Sequence, residues 1–273
     1  MPPLSDLILF AVLLVIAGGV AGLLAGVFGI GGGAVLVPVF YQVFGLMGID
    51  EAVIMHVAVG TSTAIIVPTS IRSFTAHRAR GAVDTQLLKG WIVAVPLGAV
   101  VATVVAAYAS SEMLRLIFAV IGLVFAARMA FLSNRFHLGT ELPGEPARFA
   151  IGSGIGLISG LMGIGGGVLN NTFMTLFGRP IHQAVATSSG VGVLISIPAL
   201  AGYVWAGWGD AGLPPFSTGF VNWIAFALII PTAMLVTPYG ARLAHALSKR
   251  QLEIGFALFL TFVSLRFFYS LYG

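Results

Sequence analysis

Apolar residues run along this chain in long blocks, and the polar positions between them fall in short clusters. Taking glycine clusters, prolines and charges as breaks leaves apolar segments at about 7–28, 34–48, 51–71, 90–108, 113–132, 149–162, 168–178, 183–204, 219–240 and 251–271. No Asp, Glu, Lys or Arg occurs between Asp6 and Asp50, Arg148 and Arg179, Arg179 and Asp210, or Asp210 and Arg242. A bilayer core of about 30 Å takes roughly 20 apolar residues as a helix, and a helix satisfies its own backbone in hydrocarbon. The pattern predicts an all-α polytopic membrane protein. Segment 168–178 would reach only about 17 Å at a helical rise of about 1.5 Å per residue, so it cannot cross alone. Short segments beside glycine clusters predict helices that stop and turn inside the membrane.

Composition agrees and removes other classes. Of 273 residues, 58% are hydrophobic and 8% charged, with a mean hydropathy of +1.04. Soluble domains carry about 25% charged residues, and a soluble enzyme of this make-up would expose too much apolar surface to stay dispersed. A net charge of +4 and a pI near 9.8 make no continuous stripe along a phosphate backbone, so nucleic acid is not an expected partner. With no cysteine there is no disulfide and no thiolate metal site. Paired carboxylates, metal-spaced ligands and a nucleophile–base constellation are all missing, so neither catalysis nor a cofactor is predicted. Asp6, rather than a basic stretch, precedes the first apolar run, and removal of that run as a signal peptide is not expected.

An internal repeat is readable by eye. Gly22-Leu-Leu-Ala-Gly-Val-Phe-Gly-Ile-Gly-Gly-Gly33 aligns with Gly156-Leu-Ile-Ser-Gly-Leu-Met-Gly-Ile-Gly-Gly-Gly167. Downstream, His56-Val-Ala-Val-Gly-Thr-Ser-Thr63 aligns with His182-Gln-Ala-Val-Ala-Thr-Ser-Ser189, and Pro96 and Pro231 follow at matching places. The preserved order indicates duplication, with repeats at 1–132 and 149–273 and a polar linker at 133–148. Each repeat holds a glycine-broken pair that returns to its starting face plus three crossings. That odd number predicts two inverted repeats. Lys and Arg then divide so that only Arg115 and Arg266 lie on the side of the termini. The basic side is expected to be cytoplasmic, which places the linker inside and both termini outside a cell inner membrane. Tyr203, Trp205, Trp208 and Trp223 are expected to form an aromatic belt at an outer loop, with Trp91 and Tyr239 at inner ends.

Inverted repeats with glycine-interrupted helices point to a secondary transporter with its site at the midplane. Gly31, Gly32 and Gly33, with Gly165, Gly166 and Gly167, are expected to turn the chain there. Each would leave the N–H groups of a following helix aimed at the turn, a setting suited to an anion. The alternative is that these glycines serve close helix packing. Thr61 and Ser62, matched by Thr187 and Ser188, are candidate oxyanion donors, against the alternative that they bond back to their own helix. Asn170 and Asn171 stand where the first repeat has Leu36 and Val37. Unpaired amides are costly in hydrocarbon, which favours a cavity lining. His56 and His182, at matched helix starts, suggest a proton-responsive gate at each end, or histidines anchored at the interface. Arg72 is a candidate for attracting an anion from the cytoplasm, where the distribution of basic residues already predicts arginines.

Gly29-Ile-Gly-Gly-Gly33 followed by Pro38, repeated as Gly163-Ile-Gly-Gly-Gly167, resembles the signature of the TauE/SafE family of membrane permeases. The resemblance covers nearly the whole chain, and Thr172 departs from it where the first repeat has Pro38. It implies export of small sulfur-containing anions such as sulfite, sulfoacetate or other sulfonates. The residues themselves reach a transporter for a small anion across a lipid bilayer. An anion channel, or a permease for a small carboxylate, is the competing reading.

Overall fold

The computed structural model describes residues 4–28, 33–131, 138–139 and 141–272, and most of them are helical. In chain order the helices are α1 (Leu4–Phe28), α2 (Gly33–Leu46), α3 (Ile54–Ala79), α4 (Thr85–Trp91), α5 (Ala94–Tyr108) and α6 (Ser111–Phe131). The second half has α7 (Ala147–Met162), α8 (Gly167–Leu176), α9 (Ile181–Ala206), α10 (Trp223–Ala246) and α11 (Lys249–Tyr272). Two short antiparallel strands, β1 (Ser217–Thr218) and β2 (Val221–Asn222), precede α10. Each apolar segment holds one main helix, from the ten residues of α8 to the 26 of α3 and α9. Helix α4 is an addition the apolar pattern did not announce. Asp84 caps it, its carboxylate accepting from Leu87 N at 3.0 Å, and the buried pair Leu87 and Trp91 lies four residues apart on one face. Among the described residues, five helices are long and apolar enough to cross a bilayer, or six if α4 and α5, bent by 47°, form one span.

Helices α3 and α9, each of 26 residues, pack against one another at the centre. Around them α1 packs along α10, α5 along α7, and α6 along α11, while α2 lies on α3 and α8 on α9. Helix α5 also packs on α9, far more extensively than its second-half counterpart α10 packs on α3, while the other pairs are unchanged when first-half and second-half helices exchange roles. Small residues permit the closest approaches. A Cβ on Gly22 would stand 2.6 Å from Ala233 Cα, and one on Gly160 2.6 Å from Ala102 Cβ.

Helices α7 and α8 form a hairpin that turns halfway through the bundle. Gly163 takes a left-handed φ of 62° at the end of α7, and Ile164 N closes the turn by donating to Ser159 O at 3.0 Å. Gly166, at φ 69°, opens α8. Left-handed backbone of this kind favours glycine. The turn meets Val59 and Ile66 of α3 and Val191, Gly192 and Ile195 of α9, near the middle of the central helices. At the other end, Trp91 joins both arms: its Nε1 donates to Arg148 O at 3.1 Å, and its ring lies 5.3 Å from that of Phe173.

The aromatic belt is only partly as expected. Trp205, Trp208, Trp223 and Tyr239 are exposed. Tyr203 and Trp91 are instead fully buried, each donating to a backbone carbonyl of α7, Tyr203 to Gly160 O at 3.1 Å. A polar ring atom that finds such an acceptor is held in the interior instead of at the interface.

Candidate functional site

The start of α8 is a polar part of the bundle interior. Asn170 N is the first amide there to bond within the segment, reaching Gly166 O at 2.9 Å. The N–H groups of Gly167, Val168 and Leu169 ahead of it have no acceptor inside the helix, and they carry the positive end of its dipole. Gly165, Gly166 and Gly167 are all buried. Ser159 of α7 faces them: its Oγ is buried without a hydrogen-bond partner among the described residues and lies 3.7 Å from where a Cβ on Gly166 would stand. Ser70 of α3 lies against Gly165 and Gly192. The first residue of α2 closes the other side, since a Cβ on Gly33 would stand 2.5 Å from Gly163 O and 2.7 Å from Ile164 Cα.

One turn further along α8, two amides and a hydroxyl form a chain. Asn170 Nδ2 donates to Ser188 Oγ at 2.7 Å, and Ser188 Oγ donates to Asn171 Oδ1 at 2.6 Å. Asn170 Oδ1 is buried and has no hydrogen-bond partner among the described residues. Reversing the hydroxyl and turning both amides over keeps the chain intact with every donor exchanged for an acceptor. Such a network adapts to what lies beside it.

The hydroxyls of the matched Thr-Ser segments divide between uses. Thr63 and Ser189 bond back to Val59 O and Ala186 O of their own helices, at 2.8 and 2.6 Å. Ser62 Oγ donates to Gly163 O at 2.9 Å, tying α3 to the glycine turn. Thr61 and Thr187 are fully buried, and each accepts from a backbone N–H at the start of a helix in the other half. Asn222 N reaches Thr61 Oγ1 at 3.0 Å, and Asp84 N reaches Thr187 Oγ1 at 2.9 Å. Asn222 in turn caps α10, its Oδ1 accepting from Ala225 N at 2.9 Å, as Asp84 caps α4.

Other predicted residues are not brought together. Arg72 lies on an exposed face of α3, and His182 is exposed at the start of α9. His56 is buried, with Nε2 at 3.1 Å from both Ala106 O and Ala109 O and its ring 4.7 Å from that of Phe220. The matched histidines thus occupy unlike settings. Gly31 and Gly32 fall outside the described residues, and Gly33 begins α2. Sequence reasoning missed Ser159 and Arg128. Ser159 was legible as the hydroxyl standing where the first repeat has Ala25, within the same glycine motif. Arg128 read only as a sign of topology, yet its Nη1 donates to Thr172 Oγ1 of α8 at 3.0 Å.

Long apolar helices joined by short turns, five of them long enough to cross a bilayer among the described residues, define a multi-pass membrane protein. The chain belongs to the sulfite exporter TauE/SafE family, whose sequence pattern matches residues 14–267, and is a membrane transporter of that family. A probable membrane transporter protein of Haemophilus influenzae is 31% identical over 259 residues, covering 95% of this chain and 98% of the relative. One from Methanocaldococcus jannaschii is 27% identical, covering 91% and 92% of the two chains. One from Bacillus subtilis is 26% identical, covering 88% and 89%. No solved structure matches the chain.

Proposed function

We propose that this protein is a secondary transporter that exports small sulfur-containing anions, sulfite or short sulfonates, across the inner membrane by alternating access. The observation that carries the reading is the buried start of α8, where N–H groups with no acceptor in their own helix lie near the Ser159 hydroxyl, which has no hydrogen-bond partner among the described residues. Oriented donors without a fixed charge bind an anion and release it again. The Asn170–Ser188–Asn171 chain forms the polar wall beside them. The exchangeable packing of the two halves supports inverted repeats over 1–132 and 149–273, with the basic face and the 133–148 linker cytoplasmic. The paired contacts Thr61–Asn222 and Thr187–Asp84 then serve as the two gates, one toward each face. Any proton response rests with His56, the buried member of the histidine pair. An inside-negative potential drives each anionic charge outward with about 2.3 kcal/mol per 100 mV.

Proteoliposome flux tests this reading. Sulfite, C2–C3 sulfonates and C2–C3 carboxylates are offered in turn. Saturable flux with counterflow and a preference for the sulfur oxyanions is the expected result. Unitary conductance steps would make the protein a channel, and a preference for carboxylates would remove the sulfur chemistry.

A further inference from the structure

Arg128 lies in the last turn of α6, where a basic side chain ordinarily completes the helix by facing its final carbonyls. Here that task belongs to another residue. Arg250 Nη1 and Nη2 donate to Met129 O and Ala130 O at 3.1 and 2.6 Å. Arg128 turns to α8 instead and donates to Thr172 Oγ1 at 3.0 Å, in a partly buried setting. Thr172 follows Asn171 and lies about 7.5 Å of helical rise beyond Gly167. A cation turned into a membrane bundle is costly unless it meets a partner there, and such residues mark ion pathways. Glu253 of α11 acts on Arg128 electrostatically and lies 4.0 Å from Arg250 Nη1. Glu253 thus places a negative charge near the basic group beside α8, in competition with any anion that arrives.

We propose that Arg128 is the charge-reading residue of the anion path. The start of α8 supplies oriented N–H donors, and Arg128 supplies a full positive charge between that point and the face where α6 ends. A guanidinium has five N–H donors in a rigid fork suited to two oxygens of one oxyanion. Thr172 is its positioning residue, holding the fork against α8. The inference rests on the proposed anion site and adds to it a preference for doubly over singly charged oxyanions. Glu253 opposes that preference by its own charge.

Equilibrium binding to the full-length protein in nanodiscs tests the assignment. The probes are sulfate and methanesulfonate, tetrahedral oxyanions of charge −2 and −1. Wild type is expected to prefer sulfate. Arg128→Gln should weaken sulfate binding by roughly tenfold or more, the scale of a lost hydrogen bond to a charged group, and methanesulfonate by much less. Arg128→Lys, which keeps the charge and loses the fork, should retain the preference for sulfate with weaker binding of both probes. Glu253→Gln should strengthen sulfate binding. A structural ion pair would respond differently, with both neutralising variants losing thermal stability and neither changing the sulfate-to-methanesulfonate ratio. That outcome overturns the role of Arg128 and leaves the α8 site standing. If wild type binds neither probe, the proposed substrate class falls and this inference with it. If Arg128→Gln does not reach the membrane, the signs seen with Arg128→Lys and Glu253→Gln decide.

Discussion

Helices α2 and α8 hold the same place in the two halves, yet they meet the bundle centre with opposite chemistry. After its first glycine α8 presents Asn170, Asn171 and Thr172, where α2 presents Leu36, Val37 and Pro38. Leu36 and Val37 are buried among apolar neighbours, and Val37 Cγ2 lies 2.9 Å from the position of a Cβ on Gly163. Helix α2 is thus a wedge that presses the second glycine turn into shape. Helix α8 carries the donors. A single small ion needs one such set, and a second polar helix start would leave amides and hydroxyls unpaired at a cost of about 1–3 kcal/mol each. The glycine motif stands in both halves of the sequence, and the side chains that follow it differ: amides and a hydroxyl in α8, apolar groups in α2.

The largest effect expected from breaking this contrast is at Gly166. Valine there would need a left-handed backbone and would bring Cβ within 2.6 Å of Ile195 Cδ1, an arrangement a β-branched residue does not adopt. Gly166→Val should abolish anion binding and flux. In the other half-helix, Leu36→Ala should lower stability by about 2–5 kcal/mol with affinity unchanged. Thermal unfolding and binding measured together in detergent separate these cases. Affinity loss of the same size at Leu36 would make α2 part of the site.

Polarity itself is tested next, at Asn170 and Ser159. Either Asn170→Leu or Ser159→Ala removes a donor to a charged ligand, worth about 1.5–3 kcal/mol, or roughly 10- to 150-fold in affinity. Ser159→Ala carries the sharper expectation. Its hydroxyl has no hydrogen-bond partner among the described residues, so the variant should unfold at the same temperature as wild type or higher while binding weakens. Unchanged affinity in both variants would return the α8 start to a packing role.

The smallest effects should come from the paired threonines. Thr61→Val and Thr187→Val each remove one backbone-to-hydroxyl bond, worth about 0.5–1.5 kcal/mol, and should loosen opposite faces. The chain has no native cysteine, so single cysteines at Ser217 and Ala82 report each face by labelling rate. Thr61→Val should raise labelling at Ser217 alone, and Thr187→Val at Ala82 alone. Equal changes at both sites would mean that the two contacts are not separate gates.

Much of the helix pattern was legible before folding was considered, and the site only in part. The matched glycine motifs marked where α8 begins, and Asn170 and Asn171 stood out as amides in an apolar run. Arg72 and His182 lie at exposed positions away from the start of α8, and a motif does not say which face of its helix turns inward. Thr61 and Thr187 appeared as ligand donors, and their backbone partners could not be inferred. Those partners lie 161 and 103 positions away in the chain.

The sequence by itself determined that this chain is a bundle of membrane helices with two glycine-broken pairs. In hydrocarbon each backbone group must be satisfied nearby, so long uncharged apolar blocks have little alternative to a helix. Tertiary structure alone decided that Ser62 holds Gly163 across 101 positions, and that Arg128 faces Thr172 and not the end of its own helix. These are contacts between distant segments, set by how small residues let helices close and by which buried polar atoms find partners. The local alphabet of apolar and polar positions does not encode that pairing.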